Sequence, residues 1–183
     1  LNSSISENLS LTAGANFRKL RSQNYQNLVD LMGGQYFLDI DPFYTGNAAQ
    51  SDLNNPNRQV GEGDSYGYNY LLHALTFDGF TQFKFTYDKA DFYLAQSFSR
   101  TEYQREGLYR NGIYADNSFG KGKSVTFENF GFKGGLTYKL NGRNYFDFNG
   151  LYQTKAPSLR NSFSNARMNN VITPELQSES ITS

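Results

Sequence analysis

The stretch Asn129-Phe130-Gly131-Phe132-Lys133-Gly134-Gly135-Leu136-Thr137-Tyr138-Lys139-Leu140-Asn141-Gly142-Arg143-Asn144-Tyr145-Phe146-Asp147-Phe148-Asn149-Gly150-Leu151-Tyr152-Gln153 reads as two strands and a turn. Phe130, Phe132, Gly134, Leu136 and Tyr138 fall on one face, and Asn129, Lys133, Thr137 and Lys139 on the other. Beyond Asn141-Gly142, Phe146, Phe148, Gly150 and Tyr152 alternate with Asp147, Asn149 and Gln153. This period of two is that of a two-faced strand. A one-residue slip would flip every side chain, so the turn must suit the faces. A two-residue Asn141-Gly142 loop sets Leu136 against Asp147. A three-residue loop, Leu140-Asn141-Gly142, with Gly142 left-handed, pairs Leu136 with Phe146 and Phe130 with Tyr152. It also sets Gly134 opposite Phe148 and Phe132 opposite Gly150, a ring covering a bare strand. That is the expected register.

The same alternation recurs outward in both directions. Leu9, Leu11, Ala13, Ala15 and Phe17 share a face, as do Thr81, Phe83, Phe85 and Tyr87. Phe92, Leu94 and Phe98 follow, with Gln96 as the exception. A four-residue loop, Asp88 to Asp91, closed by Tyr87 and Phe92, is expected between the last two, because a shorter one sets Asp88 against Asp91. Tyr25, Leu28, Val29 and Met32 have helical spacing before Gly33-Gly34, which predicts one short helix near 24–32. Turn-rich chain through Asp39-Ile40-Asp41-Pro42 and Asp52 to Asn57 follows.

Composition excludes several classes. The chain has 183 residues and no Cys, so it holds no disulfide, thiolate nucleophile or Cys-ligated zinc. Its 17 basic residues balance 17 acidic ones, which argues against a nucleic-acid partner. No apolar run approaches the length of a transmembrane helix, but strands of a membrane barrel average out in hydropathy and stay admissible. With 14 Tyr and 16 Phe, the aromatic share suits β-structure. Leu1 is not an initiator, and Leu176 to Ser183 reads as a strand without a closing turn. The chain therefore reads as a piece of something longer.

Strand length distinguishes a membrane barrel from a soluble sheet. The predicted strands are longer than the ~5–6 residues typical of globular sheets and match the ~9–11 a tilted membrane strand needs. Tyr87, Tyr138 and Tyr152 sit near strand ends, as an interfacial girdle requires. The expected fold is all-β: an antiparallel segment of a large transmembrane β-barrel with long external loops and one short helix. Spanning strands are placed at about 5–19, 78–88, 91–103, 126–140 and 143–154, with another starting at 176–183. External elaborations cover about 20–77, 104–124 and 155–175. Alternating tight turns and long loops forces 64–76 to be a non-spanning hairpin arm on the loop side. So few strands cannot close a barrel, so further chain must complete it.

The stretch Phe130 to Tyr145 resembles the barrel of Bacteroidota-type TonB-dependent outer-membrane receptors. So do Lys155-Ala156-Pro157-Ser158-Leu159-Arg160-Asn161-Ser162-Phe163 with Arg167 and Asn169-Asn170, and Leu176-Gln177-Ser178-Glu179-Ser180. Asp30-Leu31-Met32-Gly33-Gly34, and Gln104-Arg105-Glu106-Gly107 with Asn111-Gly112, fit the same pattern. The resemblance implies a barrel of about 22 strands with a plug in its lumen, in the bacterial outer membrane. It implies energised import of a nutrient ligand, not catalysis. The implied partners are the remaining barrel, the plug, the TonB complex acting through that plug, outer-membrane lipid and, in some relatives, a surface lipoprotein. The residues matched are barrel residues, so no residue coupling to TonB is carried over.

Candidate ligand contacts cluster in one loop. Tyr103, Arg105, Tyr109, Arg110, Asn111 and Tyr114 offer rings and hydrogen-bond donors at an external mouth, suited to a polar ligand. The same residues could instead pack loop against loop. His73 has no partner at metal-binding spacing, and Asp39 and Asp41 suit a turn better than calcium, lacking EF-hand spacing. No cofactor and no catalytic group is expected: neither G-x-S-x-G nor H-E-x-x-H occurs. Gly61-Glu62-Gly63 lacks the third glycine of a phosphate loop. Lys84, Lys133 and Asp147 are expected to face a lumen. Two other readings compete: a passive outer-membrane barrel, such as a porin or surface-protein anchor, and a soluble glycan-binding β-sandwich.

Overall fold

A computed structural model describes all 183 residues. The chain is all-β. Its strands are β1 (Asn2–Ser6), β2 (Leu9–Asn27), β3 (Phe37–Leu38), β4 (Gln59–Val60), β5 (Ser65–Thr86), β6 (Ala90–Gly107), β7 (Gly120–Lys121), β8 (Val125–Asn141), β9 (Asn144–Lys155) and β10 (Glu179–Thr182). β1, β2, β5, β6, β8, β9 and β10 form one antiparallel meander in that order, with β7 added to β6. β3 and β4 pair apart from it. The sheet is open, with β1 and β10 at its edges. Three tight turns, at 7–8, 88–89 and 142–143, lie at one end; the long connections 28–64, 108–124 and 156–178 lie at the other.

The short helix expected at 24–32 does not form. β2 runs on to Asn27, pairing Gln26 with Tyr66 and Asn27 with Ser65. Four apolar residues are too few to hold a single helical turn or two without a surface to bury them, and Val29 and Met32 remain 84% and 94% exposed. The chain holds only two short 3-10 turns, at Gly46–Ala49 and Leu159–Ser162. Residues 64–76 are no separate arm either. They continue into 78–86 as the 22-residue β5, paired with β2 along its whole length. An irregularity opposite Tyr25 and Gln26 leaves Gly67 and Tyr68 without partners on β2, with Gly67 at φ 70°, a value that suits glycine.

Both tight hairpins keep the expected faces but shift by two residues. Leu136 pairs with Phe148, Phe132 with Tyr152 and Gly134 with Gly150, rather than with Phe146, Gly150 and Phe148. The turn centres on Gly142-Arg143 because the Asn141 Oδ1 accepts from the backbone N–H groups of Arg143 and Asn144, both at 3.0 Å. Gly142 does not have a positive φ. At the other hairpin, Phe85 pairs with Phe92, not Tyr87 with Phe92. Tyr87 N–H donates to the Ala90 carbonyl at 3.0 Å, closing a two-residue turn. Asp91 then meets Lys139 at 2.8 Å instead of another carboxylate.

One face of the meander is an apolar band. Its rows read Leu9–Phe85–Phe92–Leu136–Phe148 at the turn end and Ala15–Gly79–Phe98–Phe130 at the loop end. Phe17 and Phe77 pair just beyond. From Leu9 to Phe17 the band covers about 27 Å of strand. No part of the chain covers it: Leu94 is 59% exposed and Phe148 63%. The opposite face carries Ser10, Thr12, Lys84, Gln82, Ser97, Lys133 and Asp147.

The packed interior lies at the loop end, not under the apolar band. The buried apolar side chains are Ala49, Val60, Tyr70, Leu71, Phe127 and Phe163. Around them Ser118, Ser162, Asn169 and Asn170 are also buried, so the long connections form a compact layer over the loop-side ends of β5, β6 and β8.

Candidate functional site

β6 carries the polar-face residues Tyr103 and Arg105 into this loop layer. Arg105 is 1% exposed. Its Nε donates to the Ala166 carbonyl at 2.6 Å, and one terminal nitrogen donates to the Ser118 carbonyl at 2.9 Å and to Asn170 Oδ1 at 2.5 Å. The guanidinium also stands 5.2 Å from the Tyr70 ring centre. Burial lowers the Arg105 pKa to about 10, which still leaves it charged at neutral pH. A planar fork of donors joins β6 to the connections on both sides of β8 and β9, which a single ammonium could not do. Gly107 permits that closeness, because a Cβ there would run into the Ser118 carbonyl.

The other expected ligand residues are placed as follows. Tyr103 donates to the Pro157 carbonyl at 3.1 Å. The Tyr109 hydroxyl reaches Ser65 Oγ at 2.6 Å and accepts from Arg58 at 2.9 Å. The Arg58 guanidinium lies 4.6 Å from the Tyr109 ring centre and binds Asp39 Oδ2 at 2.6 Å. Burial pulls the Arg58 pKa down, but its bonds to Asp39 and Tyr109 outweigh this and raise it overall. Arg110 Nε donates to the Ala115 carbonyl at 2.8 Å. Asn111 Oδ1 accepts from the Ile113 and Tyr114 N–H groups at 3.0 and 3.2 Å. The Tyr114 ring is exposed. Arg105 and Tyr109 are thus committed to holding loops together, whereas Asn111 lines a cavity.

That cavity, of about 320 Å³, opens between three connections and brings Asn111 together with Asp39, Asp41, Tyr66, Tyr68 and Arg167. Arg167 stacks 5.2 Å from the Tyr68 ring centre and has no carboxylate partner. Asp39 is committed to Arg58 and to the Gly67 N–H, and Asp41 to the Phe43 N–H. Arg167 therefore supplies the free charge, suited to an acceptor-rich ligand. A second concavity of about 660 Å³ runs down the polar face past Arg18, Asp78, Phe80, Tyr103, Asn129 and Gln153. There the Phe80 ring lies on the bare backbone of Gly14, where a Cβ would stand 2.6 Å from it. Asn129 is 2% exposed, and neither atom of its amide has a partner. His73 binds Glu106 at 2.9 Å, and no three metal-ligating side chains cluster.

Sequence reasoning missed Arg167, Tyr68, Phe80 and Asn129. Tyr68 and Phe80 lie on strands, and nothing local to Arg167 or Asn129 distinguishes them from their polar neighbours. Only the alternation itself, which puts Phe80 on the polar face with Lys84 and Gln82, could have singled one out. No family model, curated protein or solved structure matches the chain.

Proposed function

We propose that this chain is a barrel portion of a TonB-dependent outer-membrane transporter that binds and imports a nutrient ligand. The observation that carries the reading is the uncovered apolar band on one face of a meander that is polar on the other. A soluble sheet would bury that band against a second layer, and the chain has none to offer. Hydrocarbon fits the band, because backbone pairing leaves apolar side chains facing outward, with Thr81 and Gln96 the exceptions. The open edges at β1 and β10 are where further strands continue the wall, since an unpaired edge in lipid costs several kcal/mol per group. The import step rests on the sequence resemblance, and the loop-layer cavity at Arg167 and Asn111 is the candidate ligand contact.

Reconstitution into phosphatidylcholine vesicles tests the membrane step. Protease-protected strands with cleavable loops are expected; a monodisperse, well-dispersed proton spectrum in plain buffer overturns it. Ligand uptake by cells tests the import step. Uptake that a protonophore abolishes supports energised import, and uptake indifferent to it makes this a passive barrel.

A further inference from the structure

The two rims of the apolar band differ. At the turn end its outward-facing flank is Tyr87, Tyr138 and Phe146, with no cation on the strands. At the loop end the next outward positions on β2 are Lys19 and Arg21, directly after Phe17, and on β6 Arg100, directly after Phe98. Lys19 pairs with Leu75 and Arg21 with His73 across the β2–β5 ladder, so the two cations stand about 7 Å apart, one above the other.

The remaining charges of this rim are accounted for. Arg100 lies 3.7 Å from Glu128, and His73 lies 2.9 Å from Glu106. Glu102 is the one acid without a cation partner, and it sits on β6 beyond Leu75. Two strand spacings separate it from Lys19, about 10 Å, so it neutralises little of the charge on β2. Lys19 and Arg21 are exposed and have neither an ion-pair nor a hydrogen-bond partner. Between Lys19 and Glu102 a shallow cleft of about 220 Å³ opens outward, floored by Leu75 and flanked by His73 and Gln104.

We propose that this rim is a binding site for an anionic membrane lipid, an inference that rests on the membrane reading above. The lipid phosphate sits between Lys19 and Arg21, where two donors of like charge fit one phosphate. Its acyl chains run down over Leu75, Phe77 and Phe17 into the apolar band, with the Lys19 stem lying along the same surface. The polar part of the headgroup occupies the cleft, with Gln104 and Glu102 as hydrogen-bonding walls. Outward-facing strand cations lie on this rim alone, the turn end having only Lys89 and Arg143 in its turns, and this makes the site specific to the leaflet on the loop side.

Native mass spectrometry of the full detergent-solubilised protein tests this, with phosphatidylglycerol and phosphatidylcholine as probes. Lys19→Gln/Arg21→Gln should weaken the first phosphatidylglycerol bound about twenty-fivefold, about fivefold for each cation. Phosphatidylcholine binding should not change. Lys84→Gln/Lys133→Gln makes the same charge change on the polar face and should leave both affinities intact. Unaltered phosphatidylglycerol affinity in the first variant, or an equal loss in the second, overturns the inference. If the wild type retains neither lipid and is monodisperse in plain buffer, the membrane reading itself has failed.

Discussion

Replacing Arg105 with Met should open the loop layer while leaving the pairing of the sheet intact. The guanidinium makes three charge-assisted hydrogen bonds to Ala166, Ser118 and Asn170. Bonds to charged groups contribute about 1.5–3 kcal/mol each, and each buried acceptor left bare costs about 1–3 kcal/mol. Relief from burying a charge offsets several of these kcal/mol, and Met retains contact with the Tyr70 ring. The net loss is about 3–4 kcal/mol, which raises local opening about 200- to 1000-fold. Amide hydrogen exchange reads it directly. Asn170 N–H, bonded to the Asn117 carbonyl, and Gly122 N–H, bonded to the Arg105 carbonyl, report on the two connections. Both should speed together, while amides of the β2–β5 ladder near Leu11 and Phe83 should not. Arg105→Lys keeps the charge but cannot span three acceptors, so it should recover less than half the protection. Unchanged exchange at both reporters, or opening of one connection alone, would refute the assignment of Arg105 as their common tie.

Three further outcomes follow from particular contacts. Leu94→Arg, at the middle of the apolar band, should destabilise a bilayer-inserted protein by about 2–4 kcal/mol in a denaturant titration; the same change on a water-facing surface stays within about 0.5 kcal/mol. Asn129→Leu should raise the unfolding free energy from that titration by about 1–2 kcal/mol, because it removes a buried amide whose two atoms have no partner; a loss of stability would mean that something binds that amide. Asn141→Ala should cost about 1–2 kcal/mol and loosen the β8–β9 turn, seen as lost exchange protection at the Asn144 amide.

The faces of the strands were legible in the sequence because hydropathy sets them, and the observed pairs keep apolar against apolar within the band except at Thr81 and Gln96, which pair with each other. The registers of the tight hairpins were not. A shift of two residues preserves both faces, so hydropathy cannot distinguish Leu136–Phe146 from Leu136–Phe148. Asn141 decides one through its turn, and Lys139 helps decide the other by reaching Asp91 and the Tyr87 carbonyl. The false helix at 24–32 came from apolar residues of which Tyr25, Val29 and Met32 stay exposed; Tyr25 is taken by the ladder to Asn69 instead. Arg105 was legible as a group with chemistry to do, but its acceptors at Ala166 and Asn170 lie 61 and 65 residues away. Asn129 carried no mark at all, since its isolation arises only when β8 enters the wall between β6 and β9.

The buried Arg105 also bears on how the wall could be assembled without error. Strands that slip by two residues still keep their apolar and polar faces, so hydropathy offers no penalty against them. Such a slip displaces β6 against its neighbours by about 7 Å, more than twice the reach of a hydrogen bond. Arg105 would then miss its distant acceptors and leave a charge buried without partners. The loop layer therefore acts as a proofreading lock: it closes over the wall only when the strands beneath stand in their correct registers.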